Sequence, residues 1–517
     1  MSTPTRGAVA AGHPATVDAA VQVLRSGGNA FDALVAAQWC ACVAEPVLTS
    51  LGGGGFLLAH DATGDTRVYD CFAQTPKRKR PAQDIDFHPI HADFGATLQE
   101  FHIGYGAAAT PGLVRGLFQV QRELCSLPMP ALLEPAIDLA RRGVRINALQ
   151  AYIFDVVKPI YLATPQAAAQ FASRRQAHSL VIDGETLRLP ELADTLEALG
   201  REGDRLFYSG DIAAAIDAAC RDGGGLLTRA DLEDYRVIVR QPLSLRYRDA
   251  QLRINPPPAS GGLLIGFALK LIERLAPAGL DPAAADTTAL LAEVMQSTNA
   301  ARLDSLERDS FDLQLLDPDY LDTYLHSIRG RARAFRGTTH ISVIDADGNL
   351  AAMTSSNGEG CGHMLGATGI MLNNMLGEED LNPHGFQQWQ PDRRLTSMMS
   401  PGMLQTADGT RIALGSGGSN RIRSAILQVV CALVDGGLPL SEAIQRPRIH
   451  CENGVLNSEI VFDDATRAQL QANCEQVRCW PERNLFFGGV HAVAYGPAGF
   501  DCFGDPRRGG VAVTVAD

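Results

Sequence analysis

Thr338 follows Gly337 at the head of a strand-like run, and it is the residue with the clearest potential for chemistry. If the bond between Gly337 and Thr338 is broken, Thr338 gains a free α-amino group with a pKa of about 8, which can accept the proton of its own hydroxyl. One residue then supplies both the nucleophile and the base. The glycine before it offers little steric obstruction to the attack. The sequence therefore predicts a chain that cleaves itself before Thr338.

The residues after Thr338 have the pattern of a β-hairpin. Apolar and β-branched residues fill 341–344 and 350–354, and the turn between them is Asp-Ala-Asp-Gly-Asn. A threonine at a strand start is ordinarily structural when it stands alone. The prediction of a cleavage point therefore depends on the motifs that accompany it.

The composition is that of a globular protein whose partner is a small molecule. Of the 517 residues, 46% are hydrophobic and 20% are charged, and the formal net charge of -13 argues against binding of nucleic acid. The eleven cysteines are odd in number and lack paired CxxC motifs, so we expect reduced packing residues and no metal site. No apolar run is long enough to span a membrane, and no apolar signal core follows Met1, so the sequence predicts a cytoplasmic protein.

The remaining elements are predicted from hydrophobic periodicity and from the positions of Gly and Pro. A pair of helices is expected over 15–47, and the Gly-rich turn at 52–55 lacks the lysine and hydroxyl of a phosphate-binding loop, which favours a role in close backbone packing. The other predicted elements are a mainly helical region over 111–300, helices over 261–275 and 422–436, and strands over 237–254, 340–370, 411–414 and 489–495.

Residues 338–374 resemble the start of the small subunit of γ-glutamyltranspeptidases, which are N-terminal-nucleophile hydrolases. Four more stretches fall in the order of that family, at 50–56, 109–112, 256–262 and 415–418. The resemblance implies an α+β fold, a four-layer αββα sandwich, and catalysis without a metal or an organic cofactor. It also implies a large subunit of residues 1–337 and a small subunit of residues 338–517, which stay associated after cleavage, with a homodimer of such pairs as a further expectation.

The family places a second hydroxyl on the next strand, in contact with the nucleophile, and an asparagine shortly after it. Here residues 354–357 are Thr-Ser-Ser-Asn. Counting forward from Thr338 assigns the supporting hydroxyl to Ser356, whereas counting back from Asn357 assigns it to Ser355. Both assignments stay open, and the resemblance implies that Asn357 contacts the substrate.

The family's oxyanion donors are glycine amides in a motif that resembles residues 415–422. Amides before a helix N-terminus suit a developing negative charge, because unpaired N–H groups and the helix dipole both favour anions there. The resemblance assigns this role to Gly417 and Gly418, with Ser419 as an alternative if the register slides by one.

Two departures from the family concern the α-carboxylate of the glutamyl group. The family's arginine aligns with Phe72, and the second serine of its carboxylate-binding pair appears as Met398, after Ser397. On the amino side, the family's acidic residue aligns with Glu378, so a contact with an ammonium group is expected to remain. A carboxylate buried against Phe72 and Met398 would lose its charged partners at a cost of several kcal/mol.

These features favour a self-processing amidohydrolase or acyltransferase that uses Thr338 on a small amide or peptide-like substrate without the glutamyl carboxylate. Two alternatives stay open. One is a true γ-glutamyl enzyme in which another arginine, Arg421 or Arg393, binds the carboxylate, and the other is an uncleaved binding scaffold without activity. Glu359, in an altered loop after Asn357, either recognises a new substrate or is solvated.

Overall fold

The computed structural model describes residues 5–93, 98–281, 284–307, 312–324 and 337–516 of the protein. The strands are β1 (Thr5–Ala11), β2 (Gly54–His60), β3 (Thr66–Cys71), β4 (His88–Asp93), β5 (Leu98–Ile103), β6 (Val144–Arg145), β7 (Thr186–Leu187), β8 (Ile238–Arg240), β9 (Leu243–Tyr247), β10 (Ala250–Ile254), β11 (Thr339–Asp345), β12 (Leu350–Ser356), β13 (Gly402–Gln405), β14 (Arg411–Gly417), β15 (Ile449–Glu452), β16 (Val455–Ser458), β17 (Gln476–Cys479), β18 (Gly489–Gly496), β19 (Gly499–Phe503) and β20 (Val511–Ala516).

The helices are α1 (Pro14–Arg25), α2 (Ala30–Ala44), α3 (Leu113–Leu124), α4 (Met129–Arg142), α5 (Ala148–Val156), α6 (Lys158–Tyr161), α7 (Pro165–Phe171), α8 (Pro190–Glu202), α9 (Arg205–Tyr208), α10 (Asp211–Asp222), α11 (Arg229–Glu233), α12 (Ser260–Leu275), α13 (Ala285–Glu307), α14 (Pro318–Thr323), α15 (Arg421–Val434), α16 (Leu440–Gln445) and α17 (Asp464–Asn473). Within the described ranges, no helix is long and apolar enough to cross a membrane.

Two antiparallel sheets form the centre of the molecule. Seven strands follow the order β20-β1-β11-β12-β2-β3-β8, and six follow the order β19-β18-β14-β13-β10-β9. Strands β11 and β12 contact β14 of the other sheet, while α1 and α2 lie against the first sheet and α12 and α15 against the second. The predicted combination of helices and sheets is therefore present.

The hairpin predicted after Thr338 is confirmed as β11 and β12. The Asp345 carboxylate closes its turn by accepting the N–H groups of Asp347 at 3.0 Å and Asn349 at 2.9 Å. The ladder then pairs Thr339 with Ser355. Because the turn fixes this register, it also fixes which residues of the two strands lie side by side.

Side chains of β11 and β12 alternate between two environments, as expected for strands buried on both faces. Ile341 and Val343 belong to the core under α1 and α2, whereas Ile344 belongs to the core that includes the space between the sheets. By the same alternation, Thr338 and Ser356 face the second sheet, while Thr339 and Ser355 face helix α2.

Several predicted elements are confirmed close to their expected bounds. The helix pair over 15–47 is α1 and α2, and the glycines at 52–55 provide close backbone packing, since a Cβ on Gly54 would lie 2.8 Å from the Cys71 carbonyl oxygen. The other confirmed elements are β8 to β10 for the strands over 237–254, α12 for the helix over 261–275, β14 for the strand over 411–414, α15 for the helix over 422–436, and β18 for the strand over 489–495.

The prediction that strands continue to residue 370 is wrong. In this region the last strand, β12, ends at Ser356, and the residues from 357 to 370 form a loop with isolated bridges. Gly358, Gly360 and Gly362 adopt φ values of 63°, 93° and 85°, which interrupt an extended chain and which glycine adopts without strain. The polar stretch 331–336, just before the predicted cleavage point, lies outside the described residues.

Candidate active site

Thr338 and the bond before it lie in the interior at the start of β11. Thr338 is 4% exposed, and the Ser356 hydroxyl donates to the Gly337 carbonyl oxygen at 2.6 Å. The same hydroxyl oxygen accepts the Gly358 N–H at 3.0 Å, which holds it in this orientation. A hydroxyl group therefore contacts the carbonyl that Thr338 would attack during self-cleavage.

The two candidate serines point in opposite directions. The Ser355 hydroxyl lies under α2, where it donates to Gln38 Oε1 at 3.1 Å and contacts Thr49 Oγ1 at 3.0 Å. Ser356 lies on the other face, with Thr338. Of the two assignments that the sequence left open, the geometry favours Ser356 as the supporting hydroxyl.

Gly417 lies beside Thr338 where β14 ends, and Gly418, which lies against Gly488 and Arg508, begins the turn into α15. A Cβ on Gly417 would overlap the Thr338 carbonyl oxygen, so only a glycine allows this approach. Gly418 has a φ of 124° and Ser419 a φ of 56°, which turn the chain sharply before Arg421, the first residue of α15. The turn thus brings a helix N-terminus next to the nucleophile.

Arg508 is a neighbour of Thr338 that sequence reasoning missed. Its Nη1 donates to the Thr338 carbonyl oxygen at 3.4 Å. Burial lowers the pKa of Arg508 to about 10, while the carboxylates of Glu359, Asp505 and Glu45 act in the opposite direction. Arg508 therefore brings positive charge to the nucleophile, but its position 170 residues downstream gave no signal in the sequence.

Glu45 is a second buried group that the sequence did not reveal. Both of its carboxylate oxygens lie 3.2 Å from the Thr339 hydroxyl, which donates to them. Burial raises the pKa of Glu45 to about 7, while the Thr339 hydrogen bond and the charge of Arg508 act to lower it. Glu45 thus changes its charge near neutral pH, one residue away from the nucleophile.

His340 supports β11 on the face that bears Thr338. Its Nδ1 lies 2.7 Å from Thr354 Oγ1 and its Nε2 lies 2.9 Å from Ser342 Oγ. Burial holds the pKa of His340 well below its usual range, so the ring is neutral at physiological pH. A neutral ring between two hydroxyls indicates a positioning role and no proton transfer.

The loop after β12 brings Asn357 and Glu359 to the scissile bond. Glu359 is 2% exposed, and its Oε1 accepts the Gly337 N–H at 2.6 Å, so the interpretation of Glu359 as a solvated residue is wrong. Asn357 is fully buried and its Oδ1 accepts the Ser50 hydroxyl at 2.7 Å. Within the described part of the chain, Asn357 Nδ2 has no hydrogen-bond partner, which leaves a donor for a substrate.

Phe72 lies in the core between the sheets, two strands away from β12. Its ring stacks on Phe56 at a centroid distance of 5.3 Å. Arg394 lies beside Phe72, and its guanidinium donates to the Phe72 carbonyl oxygen and to the Tyr235 hydroxyl. Its Nε lies 3.5 Å from Asp70 Oδ1, so Arg394 is already engaged by protein groups.

Ser397 and Met398 contact Ser260, the first residue of α12. The Ser397 carbonyl oxygen accepts the Ser260 N–H at 2.8 Å, and its hydroxyl oxygen accepts the Met399 N–H at 3.1 Å. The Met398 sulfur lies 3.6 Å from the Ser260 hydroxyl. Glu378 lies elsewhere, 2% exposed and close to the loop that carries Glu359.

A narrow pocket lies between the end of α2 and helix α5. Its apolar lining includes Pro46, Val47, Leu149, Ile153, Phe154 and Leu485, and its polar lining includes Glu45 and Arg508. The Val47 carbonyl oxygen would lie 2.9 Å from a Cβ on Gly337, which places the pocket wall next to the scissile bond. An apolar wall with two charged groups, Glu45 and Arg508, therefore lies on one side of Gly337.

The fold matches that of a solved structure over nearly the whole chain. A solved structure of cephalosporin acylase from Bacillus halodurans superposes with a TM-score of 0.84, covering 99% of this chain and 96% of that chain at 23% sequence identity. At this identity the likeness establishes the fold alone.

The γ-glutamyltranspeptidase family model matches residues 16–515, so the chain belongs to the γ-glutamyltranspeptidase family of N-terminal-nucleophile hydrolases. It is similar to the glutathione hydrolase proenzyme of Bacillus subtilis (strain 168), with 28% identity over 479 residues, covering 86% of this chain and 80% of that protein. It is also similar to the acylase ACY 1 proenzyme of Pseudomonas sp. (strain V22), with 29% identity over 517 residues, covering 96% and 91%. Family and relatives together indicate a hydrolase or transferase of the γ-glutamyltranspeptidase type.

Proposed function

We propose that the protein is a self-processing amidohydrolase or acyltransferase that acts through Thr338 and prefers an acyl donor without the glutamyl α-carboxylate. The observation that carries this proposal is the 2.6 Å hydrogen bond from the Ser356 hydroxyl to the Gly337 carbonyl oxygen. A buried donor on the carbonyl before a buried threonine is what an intramolecular attack requires.

Maturation begins when Thr338 Oγ attacks the Gly337 carbonyl carbon. The hydrogen bond from Ser356 stabilises the negative charge that develops on the carbonyl oxygen. As the C–N bond breaks, the nitrogen keeps its own hydrogen and takes the proton that Thr338 Oγ loses, so it becomes the free α-amino group while Gly337 is held as an ester on Oγ. Water then hydrolyses the ester and regenerates the hydroxyl, which leaves Thr338 as an N-terminal residue.

Turnover repeats this chemistry on an external amide. The α-amino group of Thr338 accepts the hydroxyl proton as Oγ attacks, and it returns that proton to the leaving amine. Amides of Gly417 and Gly418, at the N-terminus of α15, stabilise the oxyanion. Water or an amine then takes the acyl group from Thr338. Arg508 holds the Thr338 carbonyl oxygen during these steps and acts as a positioning residue.

The two fragments stay associated after cleavage, because both contribute strands to both sheets. Residues before the cleavage point supply β1, β2, β3 and β8 to the first sheet and β9 and β10 to the second, and residues after it supply the other strands. Strand β1 lies between β20 and β11, so separation would break ladders on both sides. The contacts of these sheets with α1, α2, α12 and α15 support the four-layer αββα arrangement.

The donor preference rests on the groups that replace the family's carboxylate contacts. The Phe72 ring is stacked in the core, and the Arg394 Nη groups donate to main-chain oxygens and to the Tyr235 hydroxyl, so the family's arginine contact is not reproduced at position 72. The name of one similar protein, acylase ACY 1, accords with a donor other than a glutamyl group. The name of another, glutathione hydrolase, keeps true γ-glutamyl chemistry as the alternative.

Mass spectrometry of the purified protein tests the proposal. We expect fragments of 337 and 180 residues, the second beginning with Thr338, since 517 residues less 337 leave 180. Thr338→Ala should leave one intact chain, whereas Thr339→Ala should still cleave, because Thr339 faces Glu45 and not the scissile bond. An intact wild-type chain that turns over amides would disprove the mechanism.

A further inference from the structure

Gly337 shows how an acyl group is held next to Thr338. Its carbonyl oxygen accepts the Ser356 hydroxyl and its N–H donates to Glu359 Oε1, both at 2.6 Å. The glycine before the scissile bond is therefore bound at two points, through its carbonyl and through the nitrogen on the adjacent carbon. Because the same Thr338 hydroxyl attacks this carbonyl and the carbonyl of a substrate, the space that Gly337 leaves is the natural place for a donor's acyl group.

The space around the Gly337 α-carbon has no room for a side chain. A Cβ there would lie 2.8 Å from the Gly358 carbonyl oxygen, 2.9 Å from Glu359 Oε2 and 2.9 Å from the Val47 carbonyl oxygen. Two of these three atoms belong to the main chain, which cannot move aside as a flexible side chain does. An acyl group with an unsubstituted α-carbon fits, and a branched one does not.

A second buried carboxylate lies on the other side of the same loop. Gly358 adopts a φ of 63°, and a Cβ on it would overlap both the Glu378 carboxylate and the Asn374 side chain. The Asn374 Oδ1 accepts the Glu359 N–H at 2.8 Å, which fixes the loop. Glu359 and Glu378 therefore place two acidic side chains on the Gly337 side of the site, opposite Arg508, and Glu359 is the one that contacts the Gly337 nitrogen.

We infer that the preferred acyl donor is a glycyl amide, whose amino group binds Glu359 in the place that the Gly337 N–H occupies. This inference rests on the proposed function and adds the identity of the acyl group. In the reaction, the Thr338 Oγ–acyl bond forms as the amide C–N bond breaks, the Oγ proton leaves with the amine, and water then releases glycine. The family's γ-glutamyl group, in contrast, carries its amino group three carbons away from the scissile carbonyl.

Four matched 4-nitroanilides test the inference on the wild-type protein: glycyl, acetyl, β-alanyl and L-alanyl. We expect kcat/KM for the glycyl compound to exceed that of each of the others by about tenfold or more, the size expected for one charge-assisted hydrogen bond or for steric exclusion. The acetyl compound lacks the amino group, the β-alanyl compound places it one carbon farther away, and the L-alanyl compound adds the Cβ that the site excludes. Equal rates with glycyl and acetyl donors would overturn the inference.

The variant Glu359→Gln gives an independent test, with the exposed Glu134→Gln on α4 as the matched control. Glu359→Gln should lower kcat/KM for the glycyl donor by about tenfold or more beyond any loss with the acetyl donor, while Glu134→Gln should change neither. An equal loss with both donors would assign Glu359 a structural role and overturn the inference. If Glu359→Gln does not cleave itself, the donor series on the wild-type protein still decides.

The two proposals fail in different ways. A cleaved protein that turns over anilides without a glycyl preference overturns only the donor assignment. An intact protein that turns over none of the four overturns the proposed function and the donor assignment with it.

Discussion

The two ends of the candidate site are built in different ways. At the nucleophile end, Thr338 and Ser356 lie on neighbouring antiparallel strands whose register is set by a tight turn. The donor end is defined by Phe72 and Met398, the residues at the family's carboxylate-binding positions. Phe72 follows the last residue of β3, and Met398 lies in a loop that contacts Ser260 at the start of α12. The register of a sheet cannot shift without moving every side chain to the other face, whereas a loop residue can change its type freely. The fold can therefore keep its nucleophile and change its donor.

The two ends also differ in how they bury polar groups. Around Thr338, buried hydroxyls and carboxylates are hydrogen-bonded, as with Ser356 to Gly337 and Thr339 to Glu45. Around Phe72, the stacked rings of Phe56 and Phe72 fill the core, and Arg394 is paired with Asp70. The first arrangement supports charge development and the second excludes an unpaired anion.

The largest expected effect tests the nucleophile end. Ser356→Ala should slow self-cleavage and turnover by about a hundredfold or more, because it removes a donor to the developing oxyanion. Ser355→Ala is the matched control and should do much less, since its hydroxyl contacts Gln38 and Thr49. Rates of fragment formation on a denaturing gel measure the effect. A sensitive Ser355 with an indifferent Ser356 would reverse the assignment.

The next prediction tests the donor end. A γ-glutamyl 4-nitroanilide should have a kcat/KM at least about a hundredfold below that of 4-aminobutyryl 4-nitroanilide, which is identical except for the missing α-carboxylate. The reason is that Phe72 and Met398 offer no charge to that carboxylate. Steady-state kinetics on the pair give the ratio directly. A preference for the γ-glutamyl compound would show that an arginine such as Arg421 or Arg393 binds the carboxylate.

Glu45 predicts a pH dependence of stability at the nucleophile end. Its pKa is about 7 in the folded protein against 4.5 for the ordinary side chain, so the folded state holds the proton more tightly. Stability is therefore lost as pH rises from about 4.5 to 7, and the full cost is present above pH 7. Glu45→Gln removes this cost and keeps a hydrogen-bond acceptor for Thr339.

The gain in unfolding free energy from Glu45→Gln should thus grow from near zero at pH 4.5 to on the order of 2 kcal/mol at pH 8. Urea unfolding of the variant and the wild type at several pH values measures it. Glu134→Gln, on the exposed face of α4, should show no such growth. A gain that is constant across this pH range would mean that Glu45 does not titrate as its burial implies.

The sequence predicted that Thr338 and Ser356 lie together, but it did not reveal their neighbours Arg508 and Glu45, and the reasons are physical. Thr338 and Ser356 are linked by a short hairpin, so local turn chemistry sets their distance. Arg508 and Glu45 come from the two ends of the chain and meet Thr338 only through tertiary packing, which local pattern cannot show. The sequence left Glu359 open as a recognition residue or a solvated acid, because it lies among glycines, and those glycines fold the loop back onto Gly337.

The secondary-structure elements also divide into those that a local pattern predicts and those that depend on distant residues. The helix pair α1 and α2 and the hairpin β11–β12 were predicted because their periodicity is strong and local. The loop after Ser356 was mistaken for further strand, since its apolar residues masked the left-handed glycines that end the ladder. The pairing of β1 with β11 and β20 joins residues more than 300 positions apart, and the sequence of a strand does not indicate which distant strand it pairs with.

The smallest expected effect concerns the size limit at Gly337, beside Thr338. Gly337→Ala adds a Cβ within 2.9 Å of the Val47 and Gly358 carbonyl oxygens, so the main chain must shift and the carbonyl must move away from Ser356. We expect self-cleavage to slow by about tenfold, in the range of a modest steric strain. Time courses of fragment formation from freshly synthesised protein measure the rate, and Gly200→Ala on α8, where the nearest atom to an added Cβ is Leu133 Cδ1 at 3.4 Å, controls for the loss of a glycine. Cleavage of Gly337→Ala at the wild-type rate would mean that the atoms around Gly337 move aside easily to admit a Cβ. The expected exclusion of an L-alanyl donor would then fail for the same reason.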